Sequence, residues 1–383
     1  MSDIFLLLSV LFFGFSYARK REHVLWKGLR KGSNRVLLMV CVFVCSIFLS
    51  LLFSANVVNS LFYLGRVLEF FVLFLILSSG FLDIKKFARV FIGVVLLISI
   101  IGIFQYIFQE SLGLRFFGEP VLNSRVLGVA KVDVFSDKVL RIYGTFPHPN
   151  IFAAYIVFAL FMSFEFLKGR IFRTAVVGIL CLALVLTFSR SALLGFAVAY
   201  ILYVYLKGIK IPWKYIGAGA LVIFVIGLLM GFLPVLLERL VVSDLHTLGE
   251  RGLYLDISRG MFDSNVFGVG IGNFTYVMQS YTTLKIDPWL FQPVHNMFFL
   301  LFNELGFVGG FSFVFLFFIS LFSFMKKALV ISKKQRGVLF AATSFLIFIL
   351  IVGFFDHYFI SLYQGQALLW TYLGFGAYAL GLE

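Results

Sequence analysis

The sequence predicts an all-α, polytopic membrane protein with about eleven transmembrane helices. Of its 383 residues, 61% are hydrophobic and only 13% are charged, whereas soluble domains are about half apolar and a quarter charged. Apolar runs close to the ~20 residues that a spanning helix needs recur along the chain. Short basic loops separate these runs, as the positive-inside rule expects.

The apolar runs define the predicted spans in chain order. The first span is short, and the region 174–206 can be divided in more than one way. We interpret 1–383 as a single integral membrane domain, with 235–294 as a large, partly helical extracytoplasmic loop. The predicted spans are 3–18, 36–54, 61–82, 88–109, 149–167, 174–190, 191–206, 215–234, 297–324, 337–355 and 358–380.

The loop charges predict the orientation of the spans. If residues 19–35 face the cytoplasm, 21 of the 32 Lys and Arg residues lie on that side and 10 on the other. Arg66 lies inside a span. This topology places the N-terminus outside and the C-terminus inside. It also places the polar segments 110–148 and 235–294, with most of the acidic residues, on the outer face.

Composition also argues against several other classes of protein. The net charge of +14 comes from loops between apolar runs, whereas nucleic-acid binders cluster basic residues on one soluble face. No cleavable signal peptide is expected, because a long basic stretch follows the first apolar run. We expect the three cysteines to be buried apolar groups without a metal or redox role; they are Cys41, Cys45 and Cys181.

The first polar motif, RIYGTFPHPN, comes directly before a long apolar run. Its second proline suits the first position of a helix, where the missing N–H costs little. Both prolines restrict the residue before them to extended geometry. The motif is either a stiff helix entry with polar groups at the headgroup level, or a set of side chains that contact a substrate. Those side chains are Arg141, His148 and Asn150.

The second motif, LTFSRSALLG, places Arg190 alone between two apolar runs. An arginine in this position either extends to the membrane interface or presents a fixed guanidinium to an anion. In the second case, Ser189 and Ser191 add hydroxyl donors.

The third motif covers residues 250–274 and ends in GVGIGNF. It places Arg251 and Arg259 on a short amphipathic helix, roughly on one face. GVGIGN is not a dinucleotide fingerprint, because Asn273 replaces the third glycine and no strand–helix unit surrounds it. We expect a glycine-lined turn with available backbone N–H groups.

The fourth motif, QPVHNMFFLLFNELGFVGG, places His295 and Asn296 at the mouth of an apolar helix, with Glu304 about two turns deeper. The histidine is either a cap or a general base, for which its pKa range is suited. Arg66 and Glu69 lie three residues apart within a span, so they either brace the bundle or mark a functional site.

The outer side of the membrane thus collects four arginines and two histidines. Such a cluster suits a diphosphate on a lipid carrier, because guanidinium groups bind phosphate oxygens bidentately and stay charged. The diphosphate is already a leaving group, so transfer needs charge neutralisation and a base, without a metal or cofactor. The six residues are Arg141, Arg190, Arg251, Arg259, His148 and His295.

The order of the four motifs resembles the O-antigen ligase and polymerase family of bacterial envelope enzymes. The similarity covers about residues 140–325, and the family often has a proline-containing stretch where this chain reads SNVF. The resemblance implies a GT-C-like fold in the bacterial cytoplasmic membrane. It also implies a glycosyltransferase that moves a glycan from undecaprenyl diphosphate to an acceptor hydroxyl outside that membrane. We expect inversion by direct displacement, because the sequence places no carboxylate clearly as a nucleophile.

The resemblance implies a role for each matching residue. The catalytic residues would be Arg190 and Arg251, which hold the diphosphate, and His295, which activates the acceptor. The implied partners are the lipid-linked donor, a glycan or lipid acceptor, membrane lipid and polysaccharide-assembly proteins. Ligase and polymerase stay open, because both need the same donor site. The implied substrate-binding residues are Arg141, His148, Arg259, Asn296 and Glu304.

Two other functions stay open from the sequence. A secondary transporter or flippase for an anionic or lipid-linked solute would explain Arg66 and Glu69. Transporters, however, often have inverted repeats and midplane sites, whereas this chain shows no such symmetry and its polar residues lie at one rim. A non-catalytic scaffold would make the arginines individually dispensable.

Overall fold

The computed structural model describes residues 34–123, 125–126, 128–134, 137–209 and 245–382, and these are mostly helical. The helices are α1 (Asn34–Ser50), α2 (Val57–Ser78), α3 (Ile84–Phe108), α4 (Pro149–Phe166), α5 (Arg170–Leu186), α6 (Arg190–Lys207), α7 (Leu245–Ser264), α8 (Phe274–Val277), α9 (Met297–Val330), α10 (Lys333–Gly353), α11 (Tyr358–Ser361) and α12 (Tyr363–Leu380). Strands β1 (Lys131–Val134) and β2 (Asp137–Leu140) pair as an antiparallel hairpin between α3 and α4.

The all-α polytopic fold is confirmed. Nine of the predicted spans fall within the described residues, and each coincides with one or two helices. Seven helices in the described part of the chain are long and apolar enough to cross a membrane, namely α1, α2, α3, α4, α6, α9 and α10. The predicted spans 3–18 and 215–234 lie outside the described residues, so the total of about eleven stays a prediction.

The described residues divide into two compact units. Of the described residues, the first contains those within 34–86, 249–346 and 352–382, and the second contains those within 87–209, 245–248 and 347–351. The expectation of a single membrane domain stays a prediction.

The first unit is built on two helix pairs, α1 with α9 and α2 with α12. Phe43 and Phe313 pack with ring centroids 5.2 Å apart, and the hydroxyls of Ser46 and Ser312 lie 3.2 Å apart between the same helices. Small residues with hydroxyls let two apolar helices approach closely within a membrane. These pairs form a support for the polar loops at one end of the unit.

Helix α9 is broken at Gly306, where the sequence predicts a continuous span. Gly306 has φ +64°, and a Cβ there would lie 2.3 Å from the carbonyl carbon of Phe267. Only glycine accommodates both the left-handed backbone and this close approach. The N–H of Phe307 donates to the oxygen of Val266 at 3.1 Å. The segment that follows α7 therefore pairs with the helix at its break.

The second unit has α4 at its centre, packed against α5 and α6. Most of α4 is buried, because apolar side chains cover all of its faces. Phe161 packs edge-on to Tyr203, with ring centroids 5.7 Å apart. At the same end of the unit, Lys207 and Glu165 form an ion pair at 2.6 Å.

Contacts within each unit agree with the predicted alternation of spans. In the first unit, the side-chain amide of Asn59 donates to the backbone oxygen of Gly272 at 2.6 Å, joining two segments predicted on one side. In the second, the pair Lys207–Glu165 joins two helix ends that are both predicted on the other side. Which side is extracytoplasmic stays a prediction.

Candidate active site

The segment 268–273 packs against the break in α9 as a short extended strand would. The N–H groups of Val269 and Gly270 donate to the oxygens of Asn303 and Glu304, each at 2.9 Å. Two more N–H groups of the segment donate to neighbouring carbonyls. The prediction of available backbone N–H groups is therefore wrong for these four positions, because carbonyls at the α9 break accept two of these N–H groups and nearby loop carbonyls accept the other two.

Gly272 shows why this segment requires glycine. Its φ is +79°, and a Cβ there would lie 2.2 Å from the ring of Tyr63 on α2. A side chain would therefore meet both backbone strain and a ring. The segment fits closely between α2 and α9.

Asn273 joins the segment to the start of α2. It is fully buried, and its side-chain nitrogen donates to Ser54 Oγ at 2.9 Å, Ser60 Oγ at 3.1 Å and the oxygen of Val269 at 3.0 Å. Its side-chain oxygen accepts from Asn59 at 3.0 Å. An asparagine at this position supplies the donors and the acceptor that a third glycine could not.

Glu304 lies in the last turn before the α9 break and is 5% exposed. Its carboxylate accepts the backbone N–H of Phe274 at 3.2 Å and that of Gly272. These bonds hold the C-terminal end of the glycine segment against α9. The predicted role of Glu304 in substrate binding stays a prediction.

His295 lies just before α9 and contacts two aromatic neighbours. The ring of Tyr254, from α7, stacks on it with centroids 5.7 Å apart and an angle of 28°. The ring of His357 meets it at 74° with centroids 5.3 Å apart. Among the described residues, the buried Nδ1 of His295 has no hydrogen-bond partner. The imidazole is thus held by packing and keeps an unused ring nitrogen.

Burial lowers the pKa of His295 below its usual value of 6.5, and the nearby charge of Arg251 lowers this pKa further. The carboxylates of Asp356 and Glu250 act in the opposite direction, but burial is the largest effect. A neutral imidazole is the form that accepts a proton. The surroundings of His295 therefore suit a general base.

The structure separates Arg251 from Arg259. Eight residues correspond to a turn of about 80° around a helix, so the expectation that both lie on one face is wrong. Arg251 is half-buried, and its Nε is buried without a hydrogen-bond partner among the described residues. The side chain of Arg259 is 73% exposed and pairs with Asp256 at 3.2 Å. Of the two, Arg251 is the arginine whose charge acts on His295.

Asn296 caps α9 next to His295. Its Oδ1 accepts the N–H groups of Phe298 and Phe299, both at 3.0 Å, and its Nδ2 donates to the oxygen of Phe354 at 3.2 Å. This is the usual satisfaction of free N–H groups at a helix start. Asn296 therefore fixes where the His295 loop enters the helix, and its predicted contact with substrate stays a prediction.

In the second unit, the first and second motifs lie against each other. The buried guanidinium of Arg141 donates through Nε to the oxygen of Thr187 and through Nη2 to Asn150 Oδ1, both at 2.6 Å. The N–H of Ile142 donates to the oxygen of Leu186 at 3.2 Å. Arg141 therefore binds the end of α5 to the start of α4.

His148 caps α4, with Nδ1 accepting the N–H of Asn150 at 3.1 Å and Pro149 in the first helical position, as predicted. Arg190 is the first residue of α6 and follows Ser189, whose buried Oγ has no partner among the described residues. Predicted roles for His148 and Arg190 in substrate binding stay predictions.

Arg66 lies among aromatic rings. Its guanidinium carbon is 4.6 Å from the centroid of Phe62 and 5.7 Å from those of Tyr63 and Tyr363. The hydroxyl of Tyr363 donates to Glu69 at 3.1 Å. The two intramembrane charges thus share a tyrosine from α12, which is an arrangement that braces α2.

An open cavity of about 590 Å³ lies in the first unit, between the start of α2 and the segments around α8. This agrees with a cleft between the helices and the outer loop. No group of three or more potential metal ligands occurs among the described residues. The cavity is lined by Asn56, Val58, Asn59, Phe62, Thr275, Tyr276 and Phe291.

Sequence reasoning did not include His357 or Tyr254 in the candidate site. The pair Asp356–His357, at a corner between two apolar runs, was the available signal for the first. Tyr254 lies one turn after Arg251 on the buried side of α7, and the residue is 1% exposed. Neither position could be linked to His295 without the fold.

A family model described as O-antigen ligase matches residues 175–314. No curated protein matches the chain. The matched region includes Arg190, Arg251, His295 and Glu304, whereas Arg141 and His148 precede it. The match supports an O-antigen ligase-type role and confirms the resemblance read from the motifs. Residues 175–314 of this multi-pass membrane protein are therefore similar to the O-antigen ligase family.

Proposed function

We propose that the protein is a metal-independent glycosyltransferase of the ligase or polymerase type. It moves a glycan from undecaprenyl diphosphate to an acceptor hydroxyl on the outer side of the cytoplasmic membrane. The observation that carries this proposal is the half-buried His295, whose pKa is lowered by burial and by the nearby charge of Arg251, and whose buried Nδ1 has no partner among the described residues. A neutral base next to a fixed cation is what displacement of a diphosphate requires.

In this mechanism, His295 removes the proton of the acceptor hydroxyl as its oxygen attacks the anomeric carbon. The bond from that carbon to the diphosphate oxygen breaks, and the diphosphate leaves with its electron pair. Arg251 neutralises the charge that develops on the leaving group. A single direct displacement inverts the anomeric centre.

Arg190 is proposed as a phosphate ligand from its own position in the second unit. A cation at a helix N-terminus opposes the helix dipole by about 0.3–1 kcal/mol. The N-terminus of a helix also favours an anion, because the helix dipole is positive there. Arg190 at the start of α6 therefore slightly destabilises the helix, and in the proposal the same charge increases the affinity for phosphate.

The open cavity is the proposed place for the saccharide. It exposes the rings of Phe62, Tyr276 and Phe291 beside the polar side chains of Asn56 and Thr275. Ligand sites commonly combine apolar walls with a few polar groups. Phe291, which lines the cavity, precedes His295 by four residues, so one wall of the cavity and the proposed base lie on the same loop.

The test is surface-glycan production in a strain that lacks the chromosomal copy, with membrane levels measured in parallel. We expect H295A and R251A to lose product, and Tyr372→Phe, a buried change on α12, to retain it. Wild-type product from H295A at normal membrane levels would exclude His295 as the base.

Purified protein in vesicles then decides the class of function. Transfer of a glycan from added undecaprenyl-diphosphate donor, with inversion and in the presence of a chelator, supports the proposal. Movement of the lipid-linked glycan without transfer would support a flippase instead.

A further inference from the structure

His357 is a buried histidine with no role in the mechanism above. It is 9% exposed, and its Nδ1 lies 2.6 Å from the hydroxyl of Ser361. Its backbone N–H donates to Asp356 Oδ1 at 2.8 Å. The Ser361 hydroxyl lies 3.2 Å from the backbone oxygen of His357 itself. The hydrogen bond to Ser361 therefore fixes the His357 ring against α11, and the same ring contacts His295.

We propose that His357 is a positioning residue for the His295 base: anchored by Ser361, its uncharged ring sets the orientation of the His295 imidazole and keeps water away from it. This inference rests on the proposed function. Tyr254 and His357 together restrict the His295 ring from two directions, at 28° and 74° to its plane. A base held by packing keeps its lone pair directed at the substrate.

The charges around the pair are consistent with two uncharged rings. The pKa of His357 is lowered to about 4, mainly by burial; the charge of Asp356 raises this pKa and the neighbouring His295 lowers it. The groups that act on His295 are Asp356, Arg251 and Glu250. A second imidazolium beside Arg251 would add a like charge, which the buried pair avoids by staying neutral.

The first experiment measures the titration of His295 without any substrate. Full-length protein is treated with diethyl pyrocarbonate from pH 5 to 8, and the modification of His295 is followed by peptide mass spectrometry. The reagent reacts with neutral imidazole, so the rate gives the pKa. In H357A, water enters the vacated space, and we expect the midpoint to rise toward ~6.5. Tyr372→Phe should leave the midpoint unchanged.

The second experiment measures transfer kinetics. We expect H357A to lower kcat by about 10- to 100-fold, with a smaller change in acceptor KM. The acid limb of the pH–rate profile of H357A should move to higher pH, because a His295 with a higher pKa is protonated at a higher pH. H357Q keeps an uncharged hydrogen-bonding side chain and should recover part of both effects. A merely structural residue would lower the yield of folded protein without moving the midpoint.

The outcomes separate the two proposals. If H357A keeps the wild-type midpoint and kcat while H295A is inactive, the positioning role is wrong and the proposed function stands. If H295A is fully active, the proposed function is wrong, whatever the midpoint in H357A. If H357A yields no folded protein, S361A removes only the anchor and is tested in the same way, with an unchanged midpoint counting against the proposal.

Discussion

Gly272→Ala tests whether the glycine segment is held as closely as the structure shows. The new Cβ would lie 2.2 Å from Cδ2 of Tyr63 and would occupy a backbone with φ +79°. The left-handed backbone costs about 1–2 kcal/mol, and overpacking against a ring costs about 1–3 kcal/mol. We therefore expect the variant to lose about 2–5 kcal/mol of stability.

Gly113→Ala is the matched control, because Gly113 has φ +84° but nothing within 4 Å of the position that a Cβ would take. It should lose only the backbone contribution of about 1–2 kcal/mol. Thermal unfolding of the purified protein in detergent would compare the two variants. At roughly 2 °C per kcal/mol, Gly272→Ala should unfold several degrees below the control. Equal midpoints would refute the close fit between the segment and α2.

Four other outcomes depend on the site. R251A should reduce transfer by about 10²- to 10³-fold, whereas R259A, which removes an exposed ion pair, should cost only a few-fold; similar losses would contradict the separation of the two arginines. Transfer should persist below pH 6.5 and fall only at the lowered pKa of His295, as a pH–rate profile would show. The pKa of His357 is about 4 in the folded protein and about 6.5 in the unfolded chain. The unfolded chain therefore binds a proton first, and the free energy of unfolding should fall by a few kcal/mol as the pH falls from 6.5 to 4; chemical denaturation at both pH values would measure this. E304Q, which keeps an acceptor for the segment, should retain far more folded protein than E304A in size-exclusion chromatography.

The membrane fold could be predicted from sequence because a spanning helix depends on a local property, an apolar run of sufficient length. The break in α9 could not. LGFVGG at 305–310 reads as a continuous apolar helix with glycines, which lipid-embedded helices commonly contain. What opens the helix at Gly306 is the approach of Phe267 from a distant part of the chain.

The residue types of the candidate site could be predicted from the sequence, but not which of these residues the fold brings into contact. Arg251 and Arg259 are equivalent in the sequence, and only the burial of α7 distinguishes them. The spacing suggests free N–H groups in GVGIGN, but those of Val269 and Gly270 donate to carbonyls at the break in α9. His357 had no signal beyond its position at a corner between apolar runs. Each miss arose from a long-range contact that local pattern does not contain.

The first unit contrasts satisfied and unsatisfied polar groups within one loop system. Asn273 and Glu304 use their side chains on neighbouring groups, as buried polar residues normally do. His295 Nδ1 and Arg251 Nε are buried without partners among the described residues, and each such atom costs about 1–3 kcal/mol. Other buried side-chain atoms of this unit, such as Asn303 Oδ1 and Gln366 Oε1, are also without partners among the described residues, so the lack of a partner does not by itself identify the site. The unpartnered Nδ1 of His295, close enough to Arg251 for that cation to lower the pKa of the imidazole, is the physical reason to assign chemistry to these two residues and packing to the glycine segment.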